Sequence, residues 1–326
     1  MMKNEVLNFG VHGVFGIGVE NSALNAGTDG MLRMNSKGEF YATGTSLKYP
    51  MKVLWEQNGE KVLGIRSYKN AKNENIPRSL RERFEYLTDS DVKEFSDDEL
   101  MKALFTFTDV KNFGCLFLIP NVKNVGIRGA VQIQDGYNKY SDATMIVQDI
   151  LSCYRNPNEK PKTDNKNSEK KANESSSERK ATSMGTRLIT DEAHYFSSFR
   201  INPLAYASEI KAGYTEGYTA KDYALFKEAV LTAQSLFDSR SKAGCVNEFA
   251  MFVETELGVG FDNLTKYIRF TKNDCGKNVI DLSECSKYLN KHKDLIKGIE
   301  VYSNEETTEL VGLDMDHVTI KDIPVK

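Results

Sequence analysis

Two stretches carry the residue types best suited to binding chemistry. TGTSLKYPMKVLWEQNG, residues 43 to 59, reads as a helix with hydroxyl residues at its start, Pro50 confined to the first turn and Gly59 at its end. A helix start offers unpaired backbone N–H groups and the positive end of the helix dipole. With the hydroxyls of Thr45 and Ser46 and the ammonium groups of Lys48 and Lys52, it would form an anion site suited to phosphate. Ordinary N-capping by the same hydroxyls is the competing account. In VGIRGAVQIQ, residues 125 to 134, Val131 and Ile133 alternate with Gln132 and Gln134, the pattern of a half-buried strand. Arg128, set between Gly126 and Gly129, breaks that pattern. Glycine there permits a bulge or a close backbone approach, and arginine suits planar contact with phosphate or carboxylate.

Enzyme chemistry finds no comparable pattern. Gly16-x-Gly18 lacks the third glycine of a dinucleotide loop, since Asn21 holds that position, and neither a phosphate-binding G-x-x-x-x-G-K-[ST] nor a G-x-S-x-G nucleophile turn occurs. His12, His194, His292 and His317 are scattered, and the five cysteines (115, 153, 245, 275 and 285) include no C-x-x-C pair. No catalytic residue, cofactor, metal site or disulfide framework is expected, and the thiols read as reduced and inert. KNFGCLFL, residues 111 to 118, partly matches an RNA-recognition-motif strand, but Cys115 and Leu118 stand where stacking aromatics belong. It reads as a core strand.

The elements that must hold these residues are mixed. Forty per cent hydrophobic and 27% charged residues describe a soluble globular chain, and the net charge of −3 requires any nucleic-acid surface to be local. No apolar run nears the ~20 residues of a membrane span, and the N-terminus reads as a strand entering a glycine-rich turn, without signal-peptide features. A cytoplasmic protein is expected. Residues 155 to 182 carry 8 basic against 5 acidic side chains and nothing apolar larger than alanine, so they read either as a solvated insertion or as a mobile basic tip touching a polyanion. The flanks, SDATMIVQDIL and SMGTRLI, read as the two strands of a long hairpin.

Residues 60 to 83 hold seven basic and three acidic side chains, while Glu85 to Glu99 holds seven acidic residues and one lysine, both on short helices with capping boxes at Ser79–Glu82 and Ser96–Glu99. These are solvated faces, or opposite patches for head-to-tail stacking of identical copies. Thr219-x-x-Asp222 opens a core-facing helix with Phe226, Val230, Ala233 and Phe237, and Ser283 to Lys297 repeats helical spacing with Gly298 as C-cap and His292 as a packed or surface residue. FGCLFLI, residues 113 to 119, is short enough for a buried strand. Strands and helices interleave without a repeated βα period, so the fold class is α+β.

Several segments, taken in order, resemble one family, the CRISPR-associated backbone protein of Cascade in the RAMP superfamily, with the type I-B and I-C branches most similar. TSLK at 45 to 48 is similar to its S-L-K-R helix start. FTDVKNFGCLF with IRGAVQI resembles F-x-D-V-R-x-F-G followed by R-G-P-V-Q. SMGTRLI at 183 to 189 resembles M-G-R-K-x-I, and SLFDSRSKAG at 235 to 244 resembles M-F-x-x-x-R-S-x-x-x-G. The chain departs at Tyr49, Ala130 and the first glycine-rich loop.

The resemblance implies a modified RNA-recognition-motif (ferredoxin-like) palm at 1–59, 101–140 and 191–326, a fingers insertion at 60–100, and a thumb hairpin at 141–190 with its tip at 155–182. It implies copies polymerised head to tail on a guide RNA, contacting phosphates without reading sequence and leaving bases free to pair with target DNA. The other partners implied are the large subunit, the subunit capping the guide 5′ end and the processing endonuclease of Cascade. By this resemblance Thr45, Ser46, Lys48, Lys52 and Arg187 contact RNA, and Arg128 contacts the RNA backbone or fixes the base of the thumb. Met145 and Ile146 wedge between bases or pack on the hairpin. A type III-like alternative makes Asp29, in NAGTDGMLRM, cleave bound RNA; as a turn residue it does nothing chemical. A small-molecule enzyme is the remaining alternative and has no motif.

Overall fold

The computed structural model describes residues 5–155 and 182–326, so nearly all of the basic insertion lies outside the described residues. Along the chain, β1 (Gly10–Ser22) and β2 (Tyr41–Ala42) precede helices α1 (Gly44–Gln57), α2 (Leu80–Thr88), α3 (Asp97–Leu104) and α4 (Thr108–Phe113). Then come β3 (Gly114–Ile119), β4 (Lys123–Arg128), β5 (Val131–Ile133), β6 (Gly136–Asn138), β7 (Met145–Arg155) and β8 (Thr182–Ile201). Helices α5 (Ala207–Lys211) and α6 (Ala220–Thr232) lead to β9 (Cys245–Thr255), β10 (Arg269–Lys272) and β11 (Asn278–Asp281). Helix α7 (Ser283–Asn290) and strands β12 (Ile296–Ser303), β13 (Thr308–Val311) and β14 (Val318–Asp322) complete a mixed α+β fold.

The main sheet runs β14-β12-β9-β1-β8-β6-β2, with β5 and β7 also paired to β8. Buried on both faces, β1 is its centre. Val11, Phe15, Ile17 and Val19 meet α1 and α6 through Leu47, Met51, Leu54, Trp55 and Phe226, while Val14 faces Phe249, Met251, Phe270 and Ile280 on the other side. The glycines of β1 therefore lie inside a strand and not in the turn expected from their spacing. A Cβ on Gly13 would fall 2.2 Å from the Phe199 ring and 2.5 Å from the Met251 carbonyl, so only glycine lets those neighbours close over the strand.

The two flanks of the insertion form the expected hairpin. Strand β8 pairs with β1 from Ile201 to Thr190, then with β7 from Thr190 outward, and so runs about 26 Å past the end of β1. All three capping boxes form, at Ser79, Ser96 and Thr219.

Other expectations need correcting. Pro50 lies in the second turn of α1, because the helix is capped by Thr43 and begins at Gly44. Residues 60–79 are not helical, so most of the basic run is loop. Gly298 sits within β12 and caps nothing. FGCLFLI is not a core strand: among the described residues β3 pairs only with β4, with Phe117 and Ile119 buried and Leu116 and Leu118 exposed. VGIRGAVQIQ is likewise split between β4, which ends at Arg128, and β5 on the main sheet.

A buried polar knot at α4 fixes these pieces to one another. The Asp109 carboxylate accepts the backbone N–H groups of Leu63 and Gly64, each at 2.8 Å, and meets the Lys52 ammonium at 3.1 Å. Two residues on, the buried Lys111 ammonium lies 2.8 Å from Glu216 and 2.9 Å from Asp222. Burial alone would lower its pKa, but the two carboxylates raise it. Asn112 accepts from the Tyr218 hydroxyl at 2.8 Å, and the Tyr206 hydroxyl bridges the Lys111 carbonyl and the Ala130 N–H. FTDVKNFG is thus a joint between helices, strands and loops.

A second buried cluster joins the small sheet to the large one. The His194 ring stacks 3.9 Å from Phe270 of β10, with Nδ1 2.7 Å from Glu248 and Nε2 3.1 Å from Glu192, which also pairs with Lys272. Burial opposes the imidazolium, yet the hydrogen bonds and charge of Glu248 and Glu192 prevail and raise its pKa above 6.5.

Two outcomes are expected. Asp109→Ala should cost about 2–4 kcal/mol in chemical denaturation, because it strands the buried Leu63 amide and removes the partner of the Gly64 amide and of the partly exposed Lys52 ammonium; a cost below about 1 kcal/mol would contradict the knot. The His194 contribution is full below pH 6.5 and fades as pH rises through the higher folded-state value. The stability gap between the native chain and His194→Gln should therefore shrink from neutral to alkaline pH, and a pH-independent gap would contradict it.

Candidate nucleic-acid interface

Helix α1 begins because Thr43 accepts the Ser46 N–H at 3.3 Å and leaves the sheet in extended conformation. The rest of its N-terminus is also occupied: the Thr43 N–H donates to Asn25 at 3.0 Å and the Gly44 N–H to the Asp135 carboxylate at 2.8 Å. A carboxylate of the protein thus lies where the sequence reading puts phosphate against backbone amides. Thr45 remains exposed, while the Ser46 hydroxyl donates to the Thr43 carbonyl at 2.8 Å.

The two lysines of α1 separate by environment. Lys52 is 18% exposed, holds Asp109 and donates to the Gly64 carbonyl, so its charge serves the knot. Lys48 places its Nζ 5.1 Å from the centroid of Phe113 and has no ion pair among the described residues. Burial, with a smaller repulsion from Lys52, lowers its pKa, so an arriving anion would relieve a penalty the fold already carries.

Arg128 is exposed at the end of β4. Its glycine neighbour has a packing reason: a Cβ on Gly129 would come 2.2 Å from the Phe113 carbonyl carbon and 2.3 Å from the Gly114 N. That approach sets the end of β4 against Phe113, the residue under Lys48. Gly126 meets no such crowding.

Loop 235–244 joins the same neighbourhood. Phe237 meets the Tyr49 ring edge-on at 5.8 Å, Lys242 lies 5.6 Å over Phe237, and Arg187 of β8 donates to the Arg240 carbonyl at 2.9 Å. Backbone bonds from Glu20 to Gly244 and from Ala23 to Ser241 lace the loop to the end of β1. Lys242, like Lys48, has a pKa lowered by burial and no ion pair among the described residues. Lys242 and Arg240 were missed as site residues, although the segment SLFDSRSKAG was itself visible.

Met145 and Ile146 pack against the core at the base of β7, whereas Val147 is exposed. Asp29 accepts the Met31 N–H at 3.0 Å and stabilises its own turn. Cys115, Cys245, Cys275 and Cys285 are free thiols, and burial raises the pKa of Cys115 to about 11 and of Cys245 and Cys285 to about 12. No helix among the described residues is long and apolar enough to cross a membrane.

The chain matches the sequence family described as CRISPR-associated protein Cas7 over residues 10–290. Among curated proteins, none matches. Among solved structures, a chain of a "CRISPR RNA-guided surveillance complex, pre-nicking" is similar in fold, with a TM-score of 0.55, 12% identity and 96% of each chain covered.

The environments of the two lysines predict opposite outcomes in thermal unfolding. Lys48→Glu should leave the midpoint within about 2 °C of native, while Lys52→Glu should lower it by about 6 °C or more, since it sets a second carboxylate against buried Asp109. Equal shifts would contradict the separation.

Proposed function

Because the chain belongs to the CRISPR-associated protein Cas7 family, we propose that it is a non-catalytic backbone subunit of a type I Cascade surveillance complex. Copies polymerise head to tail along a guide RNA, bind its phosphates without reading sequence, and present its bases to target DNA. The main sheet with α1 and α6 serves as the palm, residues 60–100 as the fingers, and the β7–β8 hairpin as the thumb.

One observation carries the phosphate assignment. Segments that lie far apart in sequence meet around Phe113, Tyr49 and Phe237, and they bring Lys48 and Lys242 there as cations that burial disfavours and no carboxylate among the described residues neutralises. Phosphate is the partner such a surface lacks, and lysine contacts to phosphate position a strand without specifying bases. Arg128 and Thr45 are also exposed, and the reading assigns them further contacts to the same strand. Lys52 acts from behind it, holding α1 in place.

The opposite charge runs at 60–83 and 85–99 are partly consumed within the subunit. Arg81 pairs with Glu85 at 2.6 Å and Asp91 at 3.0 Å, and Arg83 pairs with Glu56 at 2.6 Å. Head-to-tail contact therefore draws on other surfaces as well.

The test is RNA binding across a salt series with oligonucleotides of unrelated sequence. Lys48→Glu and Lys242→Glu should weaken binding equally for every sequence, and each should reduce the salt slope by about 0.7 per lost phosphate contact. Unchanged slopes would overturn the assignment of this face.

A further inference from the structure

Beyond the phosphate face, the loop after α1 and the helix α2 that follows it carry exposed tyrosines, with cations that form no ion pair among the described residues and that the proposed contacts leave unused. Tyr68 is 79% exposed and Tyr86 62% exposed, large rings that an isolated fold would bury. The Arg66 guanidinium lies 5.9 Å from the Tyr68 centroid, and that of Arg78 only 3.6 Å from the Tyr86 centroid. Lys69 and Lys72 are exposed in the same loop.

The cations of this region fall into two sets. Arg81 and Arg83 are held by carboxylates of the subunit, whereas Arg66, Lys69, Lys72 and Arg78 form no ion pair among the described residues. The two tyrosines are also braced into one surface. Arg78 donates to the Lys69 carbonyl at 3.0 Å, and Arg83 reaches Ser67 at 3.3 Å while its guanidinium lies 6.0 Å from the Tyr86 centroid.

We propose that Tyr68 and Tyr86, with Arg66 and Arg78, form a stacking ledge for unpaired bases of a single-stranded nucleic acid. Each ring, backed by a guanidinium, offers an aromatic face to a base, and the four loose cations follow the accompanying backbone. Stacking of this kind tolerates any sequence because every base has a π-face. The ledge adjoins the phosphate face at Tyr49, whose phenol feels both Tyr68 and Arg66. The inference rests on the reading of this chain as a nucleic-acid-binding subunit, and it adds base contact to phosphate contact.

The full-length chain, freed of bound nucleic acid, tests it by fluorescence anisotropy with 20-nucleotide oligo-U, oligo-dT and a DNA duplex at several salt concentrations. Tyr68→Ala and Tyr86→Ala should each weaken both single strands by roughly fivefold or more. They should leave duplex binding and the salt slope unchanged, and Tyr68→Phe and Tyr86→Phe should bind as native. Loss for one single strand only would assign the ledge to RNA or to DNA.

Native affinity in the alanine variants, or equal loss in the phenylalanine variants, overturns the ledge. So does loss of self-association with oligonucleotide binding intact, which would make the tyrosines a contact between copies. Lys48→Glu, measured alongside, separates the two claims. If its slope falls while the tyrosines are silent, only the ledge fails; if the native chain binds neither oligonucleotide, the ledge and the functional reading fail together.

Discussion

The Asp109 carboxylate organises the joint on which the proposed phosphate face depends. It is 2% exposed and accepts the Leu63 and Gly64 amides as well as Lys52, thereby joining α4, the chain leaving α1 and α1 itself. Removing two charges from water is expensive, and an ion pair of this kind adds little net stability over an apolar substitute. What it does add is position. With α1 pinned at Lys52, one turn earlier Lys48 stands over Phe113, and the adjoining bonds of Lys111 and Asn112 hold β5, α6 and the Tyr206 turn against the same joint.

This explains which parts of the structure were legible in the sequence. Local rules did well: the three capping boxes, the N-terminal cap of α1 and the period-2 flanks of the β7–β8 hairpin all depend on residues a few positions apart. Long-range choices were not legible. Nothing in FTDVKNFG shows that its aspartate will meet Lys52, 57 positions earlier, so Lys52 looked like a second phosphate ligand. The Gly44 amide looked open for the same reason, since Asp135 is distant in sequence and adjacent in space. FGCLFLI looked buried because an apolar run does not reveal how many sheets it joins, and among the described residues β3 joins only β4.

The glycines teach a related lesson. Those of β1 suggested a loop, but Gly13 serves the packing of Phe199 and Met251 across a central strand. Gly129 suggested a bulge beside Arg128, and it proves to be the point where two strand ends touch at Phe113. In both places glycine marks a close approach that sequence can flag without naming the partner. The motifs of the family read the same way. Some hold the fold and others face outward, and burial separates them: Asp109, Lys111 and Asn112 lie within the joint, Lys48 is half-buried at its edge, and Arg128 and Arg240 are exposed.

The proposed function requires the subunit to contact RNA at a spacing set by its own repeat and without regard to base identity. The most direct measurement is to co-express the chain with a CRISPR array, purify it, digest it with ribonuclease and size the protected RNA. A ladder of lengths separated by one constant increment is the predicted result. Protein that emerges monomeric and free of RNA, even when its partner subunits are supplied, would contradict the account.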